Sequence, residues 1–185
     1  MKLPGSDIRK LSSVRIIYIN SSVDIIEKIL AGDEALMTHL DILIPPVWTE
    51  FGRPPFQYAL ERIQNHSSDP KWWSWLPILV AENTLIGNCG YKGAPKNGTV
   101  EIGYEVAEDY RGQGFGTEMA VALIKNAFMY ETVQEVIAHT LAEENASVNI
   151  LRKCGFTLKE QINDPEDGQI WKWELARADT VVKKK

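Results

Sequence analysis

Long apolar runs are missing from these 185 residues. No stretch approaches the roughly 20 consecutive apolar residues of a membrane-spanning helix. The opening Met1-Lys2-Leu3-Pro4-Gly5 lacks the basic and then apolar pattern of a secretory leader. Cysteine is scarce. Cys89 and Cys154 are the only two, too few for a disulfide framework, and they suggest a reducing, cytoplasmic setting. Positive charge is in deficit: 20 basic against 25 acidic residues leave a net charge of −5, which argues against broad nucleic-acid binding. Internal repeats and linker-like stretches are absent too. With 44% apolar residues the chain reads as one soluble globular domain over residues 12–175, with 1–11 and 176–185 as terminal extensions.

What is present is a mixed α+β pattern in the order β-α-α-β-β-β-α-β-α-β-β. Residues 14–19 read as a strand. Residues 23–40 read as a helix, with Ile25, Ile26, Ile29, Leu30, Leu36 and Leu40 on its apolar face and a soft spot at Gly32. Pro45 and Pro46 close that element. A second helix starts after Pro54-Pro55 and runs to about residue 65, turning Phe56, Ala59, Leu60 and Ile63 inward. Residues 76–81 and 84–92 form a hairpin over Glu82-Asn83, and Asn97-Gly98 makes the next turn into a strand ending at Val106. A helix, a strand over 133–141, a short helix from Asn145, and strands near 156–161 and 169–175 complete the set. Residues 181–185 read as a frayed tail. The implied sheet is antiparallel at first and then contains a right-handed strand–helix–strand crossover.

The most telling segment is Arg111-Gly112-Gln113-Gly114-Phe115-Gly116. It joins the alternating run Val100-Glu101-Ile102-Gly103-Tyr104-Glu105-Val106 to a helix whose stripe is Ala120, Leu123, Ile124, Ala127 and Phe128. A glycine-rich turn from strand into helix leaves N–H groups exposed at the positive end of the helix dipole. That is an anion site, suited to a phosphate or pyrophosphate. No lysine follows the glycines as a P-loop requires, and the third glycine of a dinucleotide fingerprint falls on Thr117. The pattern that fits is Q/R-x-x-G-x-G/A, on Arg111, Gly114 and Gly116. About thirty residues later come Asn145 and Ser147, then a short helix ending in Arg152-Lys153-Cys154-Gly155-Phe156. Asn145 suits a helix N-cap, Arg152 and Lys153 suit the negative end, and Gly155 suits the left-handed position beyond it.

Together these segments resemble the GNAT superfamily of N-acetyltransferases over about residues 12–175. The likeness is closest to the branch that includes the ribosomal-protein N-terminal acetyltransferases, which carries Gly-Tyr before the loop, as Gly103-Tyr104 here. The resemblance implies a central sheet splayed at an acetyl-CoA site. The pantetheine arm lies in the gap beside backbone atoms near Glu105 and Val106. The pyrophosphate rests on the loop from Gly112 through Gln113, Gly114, Phe115 and Gly116 to Thr117. Arg111 either lies beside a phosphate or braces the loop, and Thr117 either donates its hydroxyl to phosphate or caps the helix. Asn145 contacts the pantetheine or orders the helix start, with Asn149 one turn further on. Acetyl-CoA is the implied co-substrate, and no metal is implied.

Acetyl transfer to an amine requires removal of a proton from the ammonium, stabilisation of an oxyanion, and a hydrogen-bond donor or proton for the departing thiolate. No covalent enzyme intermediate is needed, so the scarcity of histidine (His39, His66 and His139) excludes nothing. The resemblance puts a catalytic carboxylate, acting through water, at Glu101. Glu105 shares its face by strand alternation, and two neighbouring carboxylates raise one pKa toward neutrality. His139 on the following strand is the next proton acceptor. Where many family members carry a tyrosine acid, this chain has Leu151. The N-terminal acetyltransferase branch instead uses a serine at the position of Ser147, read here as a donor to the leaving thiolate, or else as a helix cap. Trp48, Tyr58, Trp72, Trp73 and Trp75 form either an acceptor wall or core, Tyr104 packs beside the cofactor, and Cys154 is a small apolar helix residue. The expectation is an acetyl-CoA-dependent N-acetyltransferase, monomer or homodimer, acting on a protein N-terminus or small amine by direct attack in a ternary complex. The alternative is a non-catalytic acyl-CoA-binding regulatory module.

Overall fold

A computed structural model describes residues 10–13, 15–65, 68–165 and 167–181. Val14, His66, residues 1–9 of the N-terminal extension and residues 182–185 of the expected tail lie outside the described residues. Among the described residues, nine strands build one sheet. In chain order they are β1 (Lys10–Ser12), β2 (Ile16–Asn20), β3 (Ser74–Leu79), β4 (Thr84–Leu85), β5 (Gly87–Tyr91), β6 (Thr99–Val106), β7 (Glu135–Leu141), β8 (Thr157–Asp164) and β9 (Gly168–Ala176). Their spatial order is β1-β2-β3-β5-β6-β7-β9-β8, with β4 paired to β3. The β6–β7 pair is parallel and the others are antiparallel. No helix among the described residues is long and apolar enough to cross a membrane.

Helices cover both faces. On one, α1 (Val23–Ala31), α2 (Asp33–Leu40) and α3 (Pro54–Gln64) pack Ile26, Leu36 and Phe56 against Ile19, Leu76 and Ile78. On the other, α4 (Phe115–Phe128) and α5 (Ala146–Cys154) pack Leu123, Val148 and Leu151 against Ile102, Val136 and Trp173. A five-residue α6 (Arg177–Val181) follows β9.

Local chemistry accounts for several boundaries. Ser22 caps α1 by accepting from the Ile25 N–H. The single helix expected over 23–40 is two, because Gly32 sits at φ 129°, ψ 164°, a conformation outside any helix. The turn at Asn97-Gly98 has φ 51° and 83°, the pair of left-handed residues that suits a tight hairpin. The strand expected over 84–92 is interrupted at Ile86, where Gly87 at φ 146° packs against the backbone of Glu105. Lys10–Ser12, expected to lie mostly in a terminal extension, adds an edge strand on β2.

One feature positions the site. β6 and β7 pair over only three positions, ending at Glu101↔Ile137. Beyond that point β6 follows β5 as far as Val106, while β7 follows β9 as far as Leu141. The sheet forks there, on the side covered by α4 and α5. Leu151 is fully buried where α5 meets the core, so Leu151→Ala should cost about 2–5 kcal/mol. Urea denaturation should then show a lower midpoint with an unchanged m-value.

Candidate active site

The fork leaves backbone groups of β6 facing open space. Hydrogen bonds from Lys92 N–H to Glu101 O and from Ala107 N–H to Ile86 O fix the phase of β6 against β5. By alternation, Glu101, Gly103 and Glu105 direct their N–H and C=O groups at β5, whereas Tyr104 and Val106 direct theirs into the gap. The free groups expected near Glu105 and Val106 therefore fall on Tyr104 and on the Val106 N–H, since the Val106 carbonyl accepts from Arg111 Nε. The Glu105 backbone faces its partner Asn88.

The glycine loop follows directly. Gly112 and Gly114 adopt φ 74° and 86°, where side-chain-bearing residues are strained. Gly114 is the N-cap of α4 and has no side chain to offer, so the first-turn N–H groups of Phe115, Gly116 and Thr117 point out of the helix without a side-chain cap. Thr117 therefore does not cap its own helix; it lines the cleft. A Cβ on Gly116 would stand 2.8 Å from Ile150 Cδ1, so glycine lets the start of α4 approach α5 closely. Arg111 braces the loop: its Nε donates to Val106 O at 3.0 Å, and its guanidinium forms an ion pair with Glu50. Arg15 braces the other side, donating to Gln113 O at 2.9 Å, stacking 4.2 Å from the centre of the Phe115 ring and pairing with Glu118. Gln113 itself turns outward, its amide donating to Asp109 O at 3.2 Å.

The loop, the free edge of β6 and the start of α5 enclose a cleft of ≈ 510 Å³, within the range for small-ligand sites. Besides the loop residues other than Gln113, Glu105, Val106, Ser147 and Asn149 line it, and Gln113, Glu101 and Asn145 do not. Asn145 orders the helix instead, its Oδ1 accepting from Val148 N–H at 3.0 Å. Ser147 is thereby released from capping. Sequence reasoning named Asn149 but missed Ala146, Ile150 and Lys153, which share its stripe of α5 and also line the cleft. Its i, i+3, i+4, i+7 spacing was the available signal, and Lys153 adds a cation at the mouth. Tyr104 also lines the cleft. Burial pushes its phenol up to about 12, so it stays protonated at neutral pH, and it donates to Ser147 O at 3.4 Å. Burial also raises the Cys154 thiol, which keeps it from acting as a nucleophile.

The opposite face of β6 carries the acidic groups. Glu101 Oε1 lies 2.9 Å from His139 Nδ1 and 2.6 Å from Lys92 Nζ. Glu105 accepts from Thr49 Oγ1 at 2.6 Å and from Glu50 N–H at 2.8 Å. Its pKa is raised, as expected, but chiefly by burial, with a smaller contribution from the nearby Glu50 charge; repulsion from Glu101 is not among the causes. Trp48, Trp72 and Trp75 are core. Tyr58 is half-exposed, and its ring stands edge-on to Trp73 at 5.7 Å. His39 is held by Asp24 at 3.0 Å, on α1 and α2.

These features fit coenzyme A. An uncapped helix N-terminus suits its pyrophosphate, and a free strand edge suits an extended arm bearing amides. The fold and the cleft thus suit the binding of an acyl-CoA. A family model described as an acetyltransferase (GNAT) domain matches residues 24–157, and the chain belongs to the GNAT acetyltransferase family, whose members transfer acetyl groups to amines. Over 91 residues, 48% of this chain, it is 30% identical to an uncharacterized N-acetyltransferase, p20, of Bacillus licheniformis. The chain spans about half (51%) of that relative's length. A similar solved structure is RimL, a ribosomal L7/L12 alpha-N-protein acetyltransferase, at TM-score 0.65 and 15% identity over 95% of this chain and 99% of that one. RimL has also been solved in complex with coenzyme A. Mutant forms of the spermidine/spermine N-acetyltransferase SpeG from Vibrio cholerae align at TM-score 0.58 and 15% identity, over 70% of this chain and 81% of theirs. The two structural likenesses concern the fold.

Gly114→Ala should place a Cβ in the left-handed region, costing about 1–2 kcal/mol, within 3.5 Å of Arg15 Nη2. Calorimetry should show CoA affinity falling roughly 5- to 30-fold, with little change in thermal stability if the loop alone relaxes.

Proposed function

We propose that this chain transfers the acetyl group of acetyl-CoA to a primary amine by direct attack in a ternary complex. The observation that carries the reading is the juxtaposition of the free β6 edge with the uncapped start of α4. When bound, acetyl-CoA supplies an activated thioester. First-turn N–H groups of α4, with Lys153 at the mouth, hold its pyrophosphate. Tyr104 and Val106 bind the arm through their backbones, and an N–H of the same edge stabilises the oxyanion. Asn149 completes the cofactor side. On the other face Glu101, together with His139, handles the proton of the incoming amine. Ser147 offers its hydroxyl to the departing sulfur.

The acceptor is a cationic amine, either a protein N-terminus or a small molecule. Glu50, Glu101 and Glu105 place three carboxylates on its side of the sheet, the first two paired with Arg111 and Lys92, and the similar structures include enzymes named for each acceptor kind. We assign the activity to one domain over residues 12–175, as a monomer or homodimer in the cytoplasm. The two cysteines, neither in a disulfide, are compatible with that compartment.

Calorimetric titration with acetyl-CoA, CoA and ATP tests the cofactor assignment, and an acceptor screen with N-terminal peptides and polyamines tests the activity. Both CoA species should bind at micromolar concentrations and ATP should not. Incubation with acetyl-CoA alone should leave the enzyme's mass unchanged. Binding without turnover on any acceptor would favour the non-catalytic module, and an acetylated enzyme would exclude direct attack. Ser147→Ala should lower kcat by about 100-fold while CoA affinity is kept.

A further inference from the structure

Two donors converge on one oxygen of Glu101. His139 Nδ1 lies 2.9 Å and Lys92 Nζ 2.6 Å from Oε1. A carboxylate in contact with an ammonium is held ionised, and an ionised carboxylate only accepts hydrogen bonds. The ring nitrogen facing it must therefore carry a proton. In the neutral ring this selects the Nδ1–H tautomer of His139, whose lone pair is then on Nε2.

The position of this pair in the fold gives it a use. Parallel pairing of β6 and β7 ends at Glu101↔Ile137. On that face of the sheet His139 is the first β7 side chain beyond the fork, and Gly103 is its counterpart on β6. Gly103 contributes no side chain, and a Cβ built there would meet nothing within 4 Å. Open space thus lies over the strand next to the imidazole, beside the gap that takes the thioester arm. His139 and Glu101 are 21% and 19% exposed, reachable from that space yet shielded from bulk water. Other charges face the ring from the neighbouring strands. Lys172 on β9 is its register partner and is held by Glu174 at 2.9 Å and by Glu160 of β8 at 3.5 Å. Glu174 in turn lies 3.4 Å from Lys159. Lys92, the residue after β5, reaches the ring's carboxylate partner.

We propose that His139 Nε2 takes the proton from the acceptor ammonium, and that Glu101 is a positioning residue that fixes the His139 tautomer, itself held by Lys92. The proposal rests on the transferase reading above. Nε2 removes one proton from the ammonium, giving imidazolium and a neutral amine. The amine lone pair forms the C–N bond at the thioester carbonyl carbon, and the C–S bond breaks with its electron pair on sulfur. The second nitrogen proton passes to that sulfur, and His139 returns its own proton to water.

The test measures kcat/KM against pH for the full chain and for His139→Gln, Glu101→Ala and Lys92→Met. His139→Gln should lower kcat/KM by about 100-fold or more and abolish the ascending acidic limb, with CoA affinity unchanged. Free imidazole should restore turnover to His139→Ala. In the protein without substrate, nitrogen NMR of the imidazoles should show His139 as the Nδ1–H tautomer, identified by its loss in His139→Gln. Glu101→Ala should shift that signal toward the other tautomer, and Lys92→Met should weaken the preference. A wild-type pH profile in His139→Gln, with turnover abolished by Glu101→Gln, would make the carboxylate the base and overturn this proposal alone. A wild-type protein that neither binds CoA nor turns over would overturn the transferase reading and this proposal with it.

Discussion

Hydrogen bonding between β6 and β7 stops after three residue pairs, and the site depends on that interruption. A buried strand edge is costly when its N–H and C=O groups lack partners. Here the cost is confined to the short edge carrying Tyr104 and Val106, because each strand stays fully engaged with its antiparallel neighbour on the far side. The crossover between the strands carries the glycine loop and α4, so the start of that helix must open onto the same gap. One topological feature thereby aligns the uncapped N–H groups of a helix start with a free strand edge. It also separates the face of β6 covered by α4 and α5 from the face that bears Glu101 and His139.

The loop is held from outside rather than by its own residues. Arg111 ties it to the Val106 carbonyl and to Glu50, and Arg15 ties it to β2. Glu50 also gives its backbone N–H to Glu105, beside the Thr49 hydroxyl. A continuous set of contacts therefore joins the segment ahead of α3 to the cofactor loop. Charge-assisted hydrogen bonds are among the stronger ones available, and the half-buried Glu105 carboxylate, its pKa raised mainly by desolvation, is the least solvated member. A loop whose glycines give it conformational freedom is braced in this protein by these side chains.

Much of this was legible in the sequence where the cause is local. Gly112 and Gly114 could be read as loop glycines because only a few conformations carry a strand into a helix so tightly, and both take positive φ. Asn145 and Gly155 cap α5 at its two ends as residue type suggests. Gly32 was visible as a weak point but not as a break, since propensity does not say which dihedral a glycine adopts. Contacts between distant segments were not legible. The Glu105–Thr49 bond spans 56 positions and the Arg15–Gln113 bond spans 98, and neither leaves a periodic trace. The Arg111–Glu50 contact, spanning 61 positions, was illegible for the same reason. Strand alternation put Glu101 and Glu105 on one face, but it could not show that Lys92 and His139 share an oxygen of the first while Thr49 and Glu50 hold the second.

Amide hydrogen exchange at single-residue resolution tests the forked edge most directly. In the free protein the Tyr104 and Val106 amides should exchange quickly, while those of Gly103 and Glu105, bonded to β5, exchange slowly. Saturating CoA should slow Tyr104 and Val106 selectively. If CoA binds and these two amides are unaffected, or if they are already protected without it, the gap between β6 and β7 is not the cofactor site.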